Sequence, residues 1–251
     1  MVKEIHQWYS PALNKEMPIA VYGHYGYALL MIPTAAADYL EYERFELINT
    51  LSPFINEGKI KIFSVNSINT ESWMNKEMEG AHKAIRHNQF NHYIYNEVVP
   101  FIKNMTSQDT PIITCGASFG AFHSMNLFLK RPDLINGVIA MSGVYDLMEY
   151  TDGYYDEQVY FNSPIHYIPN LNDHGTLEKI RKGKIIIATG SGSYEDPEAN
   201  RRFSEVLHSK SIPHQLDIWG TDIHHDWSTW KQMLPFILGN SLPAGRQGIS
   251  E

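Results

Sequence analysis

The chain has 251 residues, 43% of them hydrophobic and 19% charged, with a formal net charge of −8. That length and balance suit one large globular domain whose core needs no staples, and the acidic character argues against a grip on nucleic acid or on an anionic membrane. The lone cysteine, Cys115, excludes an internal disulfide, and no apolar run approaches the ~20 residues of a membrane span.

The N-terminus, MVKEIHQWYS, lacks the apolar stretch of a secretory signal. Together with the single thiol, this predicts a cytoplasmic protein. Two N-terminal segments, Ile5 to Leu13 and Met17 to Tyr22, read as antiparallel edge strands. Tyr27 to Ile32 (YALLMI) reads as a buried strand, and Glu43 to Ile55 as a helix, with Phe45, Ile48, Leu51 and Ile55 at helical spacing. Lys59 to Val65 is the next strand. Met78 to Met105 is mostly helical, with a break expected at Pro100. Pro111 to Cys115 is a strand, Phe122 to Lys130 a helix, and Val138 to Met141 a strand. Lys184 to Ala188 is a strand, Pro197 to His208 a helix, His214 to Trp219 a strand, and Trp227 to Leu238 the last helix.

Most of these strands are short, apolar and poor in alternation, as strands covered on both faces are. The β-α-β rhythm predicts an α/β fold, a mostly parallel, doubly wound sheet with helices on both faces. It forms a single domain over residues 1–239, followed by a polar, disordered tail over 240–251. In such sheets reactive groups gather at the carboxyl ends of the strands.

One strand end stands out. Pro111 to Phe122 reads PIITCGASFGAF, placing Gly116-Ala117-Ser118-Phe119-Gly120 between a strand and a helix. G-x-S-x-G in this setting puts the serine on a tight, strained turn that pushes its hydroxyl out of the sheet. The helix that follows points its first amides at the same place, which favours a developing negative charge. Ser118 is the candidate nucleophile.

A serine hydroxyl needs a neighbour to take its proton. Gly220 to Trp230 reads GTDIHHDWSTW directly after a strand. Of the adjacent His224 and His225, His225 is preferred, because Trp227 and Trp230 are placed to anchor the helix behind it. The other histidine then reads as a solvated loop residue. Adjacent residues rarely converge on one ion, so a metal site at His224, His225 and Asp226 is not expected.

A carboxylate should orient the imidazole. The loop after Lys184 to Ala188 ends in Glu195-Asp196, and either can serve. Asp196 precedes Pro197 and has a ready role as helix cap, which favours Glu195 as the acid. Asp146 is a weaker third choice.

These residues carry a resemblance. GASFGA followed by RPDLINGVIAMSG, the segment HDWSTW, and NRRFSEVL after the acid loop resemble the putative-esterase family, the esterase D-like branch of the α/β-hydrolases. The likeness runs from about Tyr27 to Leu238 and implies the α/β-hydrolase fold and a serine esterase acting on a small-molecule ester. Many members have a G-x-x-D acid loop, and Gly192-Ser193-Tyr194-Glu195 has the same spacing with glutamate.

Acyl transfer also needs two amides aimed at the oxyanion. One is expected from Phe119, the residue after the nucleophile. The other is expected from the loop after Tyr27 to Ile32, at Thr34 or Ala35. Ser72, Trp73 and Met74 should border the pocket, with Trp73 either stacking on substrate or anchoring the core. Tyr150 to Ile168 has room for a small cap. The resulting expectation is a carboxylic ester hydrolase with no metal or cofactor. An acyltransferase using the same triad and a non-catalytic binding protein on the same fold are its rivals. Acyl specificity and oligomeric state, a homo-oligomer included, are not legible.

Overall fold

The computed structural model describes residues 1–241. Eight strands form one sheet in the order β1-β2-β4-β3-β5-β6-β7-β8. Their ranges are β1 Lys3–Ser10, β2 Lys15–Tyr22, β3 Tyr27–Ile32, β4 Ile60–Val65, β5 Ile112–Ala117, β6 Gly137–Met141, β7 Lys184–Thr189 and β8 Gln215–Ile218. β1 pairs antiparallel with β2, and β2 antiparallel with β4. Every later pairing is parallel.

The central strands read as continuous apolar runs because they serve two cores. Along β3, Ala28, Leu30 and Ile32 face one cluster while Leu29 and Met31 face the other. Side chains alternate across a strand, so burial on both faces favours apolar residues at consecutive positions. Helices α4 Gly80–Tyr93, α5 Val99–Met105, α6 Phe119–Lys130, α9 His174–Lys182 and α10 Pro197–Ser209 supply the first cluster. The second is closed by α11 Trp227–Asn240 and by the short α1 Glu41–Arg44, α2 Leu47–Thr50 and α3 Ser52–Asn56. Small helices α7 Glu157–Tyr160 and α8 Pro164–Tyr167 lie in the β6–β7 connection.

The strands fall where the sequence puts them, to within a few residues. The helices differ more. The single helix expected over Glu43 to Ile55 is three short ones: Glu46 takes a left-handed φ of 65° that ends the first, and Leu51, with ψ near −1°, separates the second from the third. The long segment before β5 is interrupted by a π-helical turn over Ile94–Val98, just ahead of Pro100, whose missing N–H cannot serve a regular ladder. The helix after Ser118 begins directly at Phe119 rather than at Phe122. Helix α9, capped by Asp173 through Thr176 N–H, was not anticipated. The last helix runs through Asn240 into the segment expected to be a tail, and residues 242–251 lie outside the described residues.

Candidate active site

β5 ends at Ala117, and Ser118 turns the chain into α6 with φ 56° and ψ −124°. A side chain with positive φ is strained, and such strain is kept where the surroundings over-determine it. Here close packing does so. A Cβ on Gly116 would sit 2.3 Å from the Gly120 carbonyl carbon, and one on Gly120 would sit 2.4 Å from the Ile32 carbonyl oxygen. Both positions must be glycine, and the second brings the loop after β3 against the elbow. Ser118 N–H donates to the Met141 carbonyl on β6 at 2.9 Å. The Ser118 hydroxyl is half-buried and has no hydrogen-bond partner among the described residues. Phe119 N–H opens α6, where the first amides have no acceptor within the helix.

The loop after β3 is built tightly. Tyr42 Oη donates to the Ile32 carbonyl at 2.6 Å. The Glu41 carboxylate accepts both from Thr34 N–H at 2.8 Å and from Thr34 Oγ1 at 2.6 Å. Burial pushes the Glu41 carboxyl up, against those two bonds, which pull it down. The Thr34 amide is therefore occupied. The Ala35 amide has no internal acceptor among the described residues, and Ala35 holds a left-handed φ of 38°. Of the two donors expected here, only Ala35 keeps a free N–H.

On the other side of the elbow, Glu195 and His225 come together, with His225 Nδ1 3.8 Å from Glu195 Oε2. The distance is longer than that of a hydrogen bond. The Glu195 side chain is fully shielded from solvent. Its Oε1 accepts from Ser142 Oγ at 2.7 Å, and its Oε2 from Thr189 Oγ1 at 2.8 Å. Burial alone would raise its pKa. The imidazole and the two hydroxyls outweigh burial and hold it below the ordinary value. Trp230 Nε1 donates to Ser142 Oγ at 3.0 Å, and its ring meets the imidazole edge-on at 5.2 Å.

Asp196 does the work expected of a cap. Its carboxylate accepts from Ala199 N–H at 2.8 Å in the first turn of α10. Asp146 accepts from Met148 N–H and lies 3.8 Å from His166. His224 is exposed, as the solvated reading expects, and its Nδ1 also accepts the Ser193 N–H at 2.8 Å while His225 N–H donates to the Ser193 carbonyl at 3.0 Å. The two histidines thus clamp the acid loop. Asp226, next in the chain, caps α11 through the Ser228 and Thr229 amides.

Trp73 is 2% exposed and packs with Phe119, Phe122, Ala84, Leu147 and Val159. This placement favours the core-anchor reading. Ser72 is buried as well, donating to the Lys83 carbonyl. The β6–β7 connection does reach the elbow, with Tyr150 4.7 Å from Phe119 between ring centres. Ser142 and Thr189 were not anticipated. Their signal was their place, each at the carboxyl end of a strand beside the nucleophile strand or next to it.

Among the described residues, no group of three His, Cys, Asp or Glu side chains is placed to hold a metal ion, and no helix is long and apolar enough to cross a membrane.

A serine elbow, a histidine loop after the last strand and a buried acid after the strand before it define an α/β-hydrolase. The sequence profile of the family described as "Putative esterase" matches residues 64–240, and the chain belongs to that family. Solved structures agree on the fold. A ferulic acid esterase superposes with a TM-score of 0.71 at 17% identity, covering 95% of this chain and 98% of that one. FphF, a fluorophosphonate-binding serine hydrolase of Staphylococcus aureus, gives 0.68 at 16% identity, covering 95% and 97%. An S-formylglutathione hydrolase from Agrobacterium tumefaciens gives 0.69 at 14% identity, covering 94% of each chain. No curated protein sequence matches this chain.

Proposed function

We propose that the protein is a serine-dependent carboxylic ester hydrolase that works through an acyl-enzyme on small or medium acyl esters. The observation that carries the proposal is the left-handed Ser118, held between β5 and α6 with its hydroxyl unpartnered and the Phe119 amide beside it. His225 takes the Ser118 proton as the oxygen attacks the ester carbonyl. The buried Glu195 carboxylate stabilises the imidazolium so formed. The amides of Phe119 and Ala35 receive the oxyanion. His225 then returns the proton to the departing alcohol. Water, deprotonated by the same imidazole, attacks the acyl-Ser118 ester and releases the acid.

The structural neighbours include a ferulic acid esterase and S-formylglutathione hydrolases, and these support an ester or thioester as substrate class. A cytoplasmic location belongs to the same reading, on the strength of the single buried thiol of Cys115.

The test is hydrolysis of p-nitrophenyl acetate and butyrate near neutral pH by the wild type, Ser118→Ala and His225→Ala. Each substitution is expected to lower kcat by about 10³-fold or more. An inactive wild type whose Ser118 does not react with a fluorophosphonate would overturn the proposal.

A further inference from the structure

The Ala35 carbonyl is held from one side by two donors. Ser67 Oγ donates to it at 3.2 Å, and Asn69 Nδ2 donates to it as well. The segment after β4 makes further bonds to the same loop, from Ser67 N–H to the Ala37 carbonyl and from Tyr39 N–H to Asn66 Oδ1 at 2.8 Å. A left-handed alanine is not self-supporting, so something must hold it. Ala37 N–H donates to the Thr34 carbonyl at 3.1 Å and so holds the peptide that carries Ala35 N–H, while the two bonds to the Ala35 carbonyl hold the next peptide, so both planes that flank Ala35 are fixed.

Asn69 has a second contact. It is 1% exposed, and its Oδ1 lies 2.9 Å from Nε2 of His123 on α6. A carbonyl oxygen can only accept, so the bond to Ala35 fixes the orientation of the Asn69 amide, and His123 must carry its proton on Nε2. His123 Nδ1 is left without a partner. Burial pulls the pKa of this ring down to about 3, so it is a neutral donor at any working pH.

The two ends of this chain of contacts are informative. His123 rides on α6, the helix whose first amide, at Phe119, faces the nucleophile. Ala35 carries the free amide of the opposing loop. The side chain of Asn69 therefore spans the two elements that supply the two oxyanion donors. An oxyanion hole works only when its donors are pre-set relative to each other.

We propose that Asn69 is a positioning residue that sets the Ala35 amide against the Phe119 amide, with His123 holding Asn69 in register. The proposal rests on the ester-hydrolase reading above. It concerns the tetrahedral state alone, since ground-state ester makes little use of the oxyanion donors. Losing Asn69 should therefore lower kcat and leave KM nearly unchanged.

The experiment compares wild type, Ser118→Ala, Asn69→Ala and Ser67→Ala on p-nitrophenyl acetate. It also measures the affinity of each for an alkyl trifluoromethyl ketone, whose addition to Ser118 creates an oxyanion without turnover. Asn69→Ala is expected to lose about 30-fold in kcat, with KM within about twofold and ketone affinity falling in step. A merely structural role would lower the melting temperature or the active fraction without moving ketone affinity, and that result overturns the proposal. So does wild-type kcat in Asn69→Ala. If Asn69→Ala does not fold, Ser67→Ala decides, since it removes the partly exposed second donor to the same carbonyl. A fall of about threefold in kcat and ketone affinity together supports the proposal, and unchanged ketone affinity overturns it. Undiminished hydrolysis by Ser118→Ala would instead sink the ester-hydrolase reading. Loss of activity in Ser118→Ala beside an unaffected Asn69→Ala sinks the positioning role alone.

Discussion

Ser142 Oγ donates to Glu195 Oε1 at 2.7 Å and accepts from Trp230 Nε1 at 3.0 Å. The hydroxyl thus ties the loop after β6, the loop after β7 and helix α11 into one polar joint behind His225. A buried carboxylate is stable there only because donors from separate parts of the chain converge on it.

The adjacent carboxylates should separate cleanly on substitution. Glu195→Gln is expected to lower kcat by about 10³-fold, because the imidazolium loses its counter-charge. Asp196→Ala should keep kcat within about threefold and cost about 1 kcal/mol of stability, the usual loss for a helix N-cap. Steady-state kinetics and denaturant melts on both variants check this. An inactive, normally folded Asp196→Ala would reverse the assignment.

Removing the Ser142 hydroxyl strands two buried groups at once. Ser142→Ala should cost about 1–3 kcal/mol, since Trp230 Nε1 and a Glu195 oxygen lose their partner. Activity should fall about tenfold as the carboxylate loosens. Urea unfolding beside kcat measurements would expose an error here if both stayed at wild-type values.

Trp73 distinguishes packing from recognition. Trp73→Ala is expected to destabilise the protein by about 3–5 kcal/mol through the cavity it leaves among Phe119, Phe122 and Leu147. Among molecules that remain folded, KM for acetate and butyrate esters should change little. A large rise in KM at unchanged stability would return Trp73 to the substrate site.

The depressed pKa of Glu195 makes stability depend on pH with a definite sign. The unfolded carboxyl binds its proton at higher pH than the folded one does. Its contribution is therefore complete above the ordinary glutamate range of about 4.3 and is lost as pH falls through the lower folded value. Thermal melts on acidification from neutral pH should fall more steeply for wild type than for Glu195→Gln. Parallel slopes would show that the carboxylate gains nothing from its partners.

The sequence by itself determined the sheet, the elbow and the histidine loop, because each is written locally. A strand buried on both faces is mostly apolar, as β3 to β7 are, with Lys61, Ser64, Thr114 and Thr189 the buried polar exceptions. A tight strand-to-helix turn needs glycines at fixed offsets, as at Gly116 and Gly120. An aspartate before a proline marks a helix cap, as Asp196 does for α10.

Only the tertiary structure decided what depends on residues distant in the chain. Thr34 and Ala35 are equivalent by position, and the Glu41 carboxylate separates them by occupying the Thr34 amide. Nothing near His224 in the chain marks it as the acceptor of the Ser193 N–H, a bond that only the folding of the 190–196 loop onto it makes. Trp73 fits a pocket wall or a core equally well by residue type, and only the fold packs it among Phe119, Phe122, Leu147 and Val159. Hydrogen-bond partners such as Ser142, Thr189 and Asn69 leave no periodic or motif signature, since a hydroxyl or an amide on a loop becomes informative only when the fold gives it something to bind.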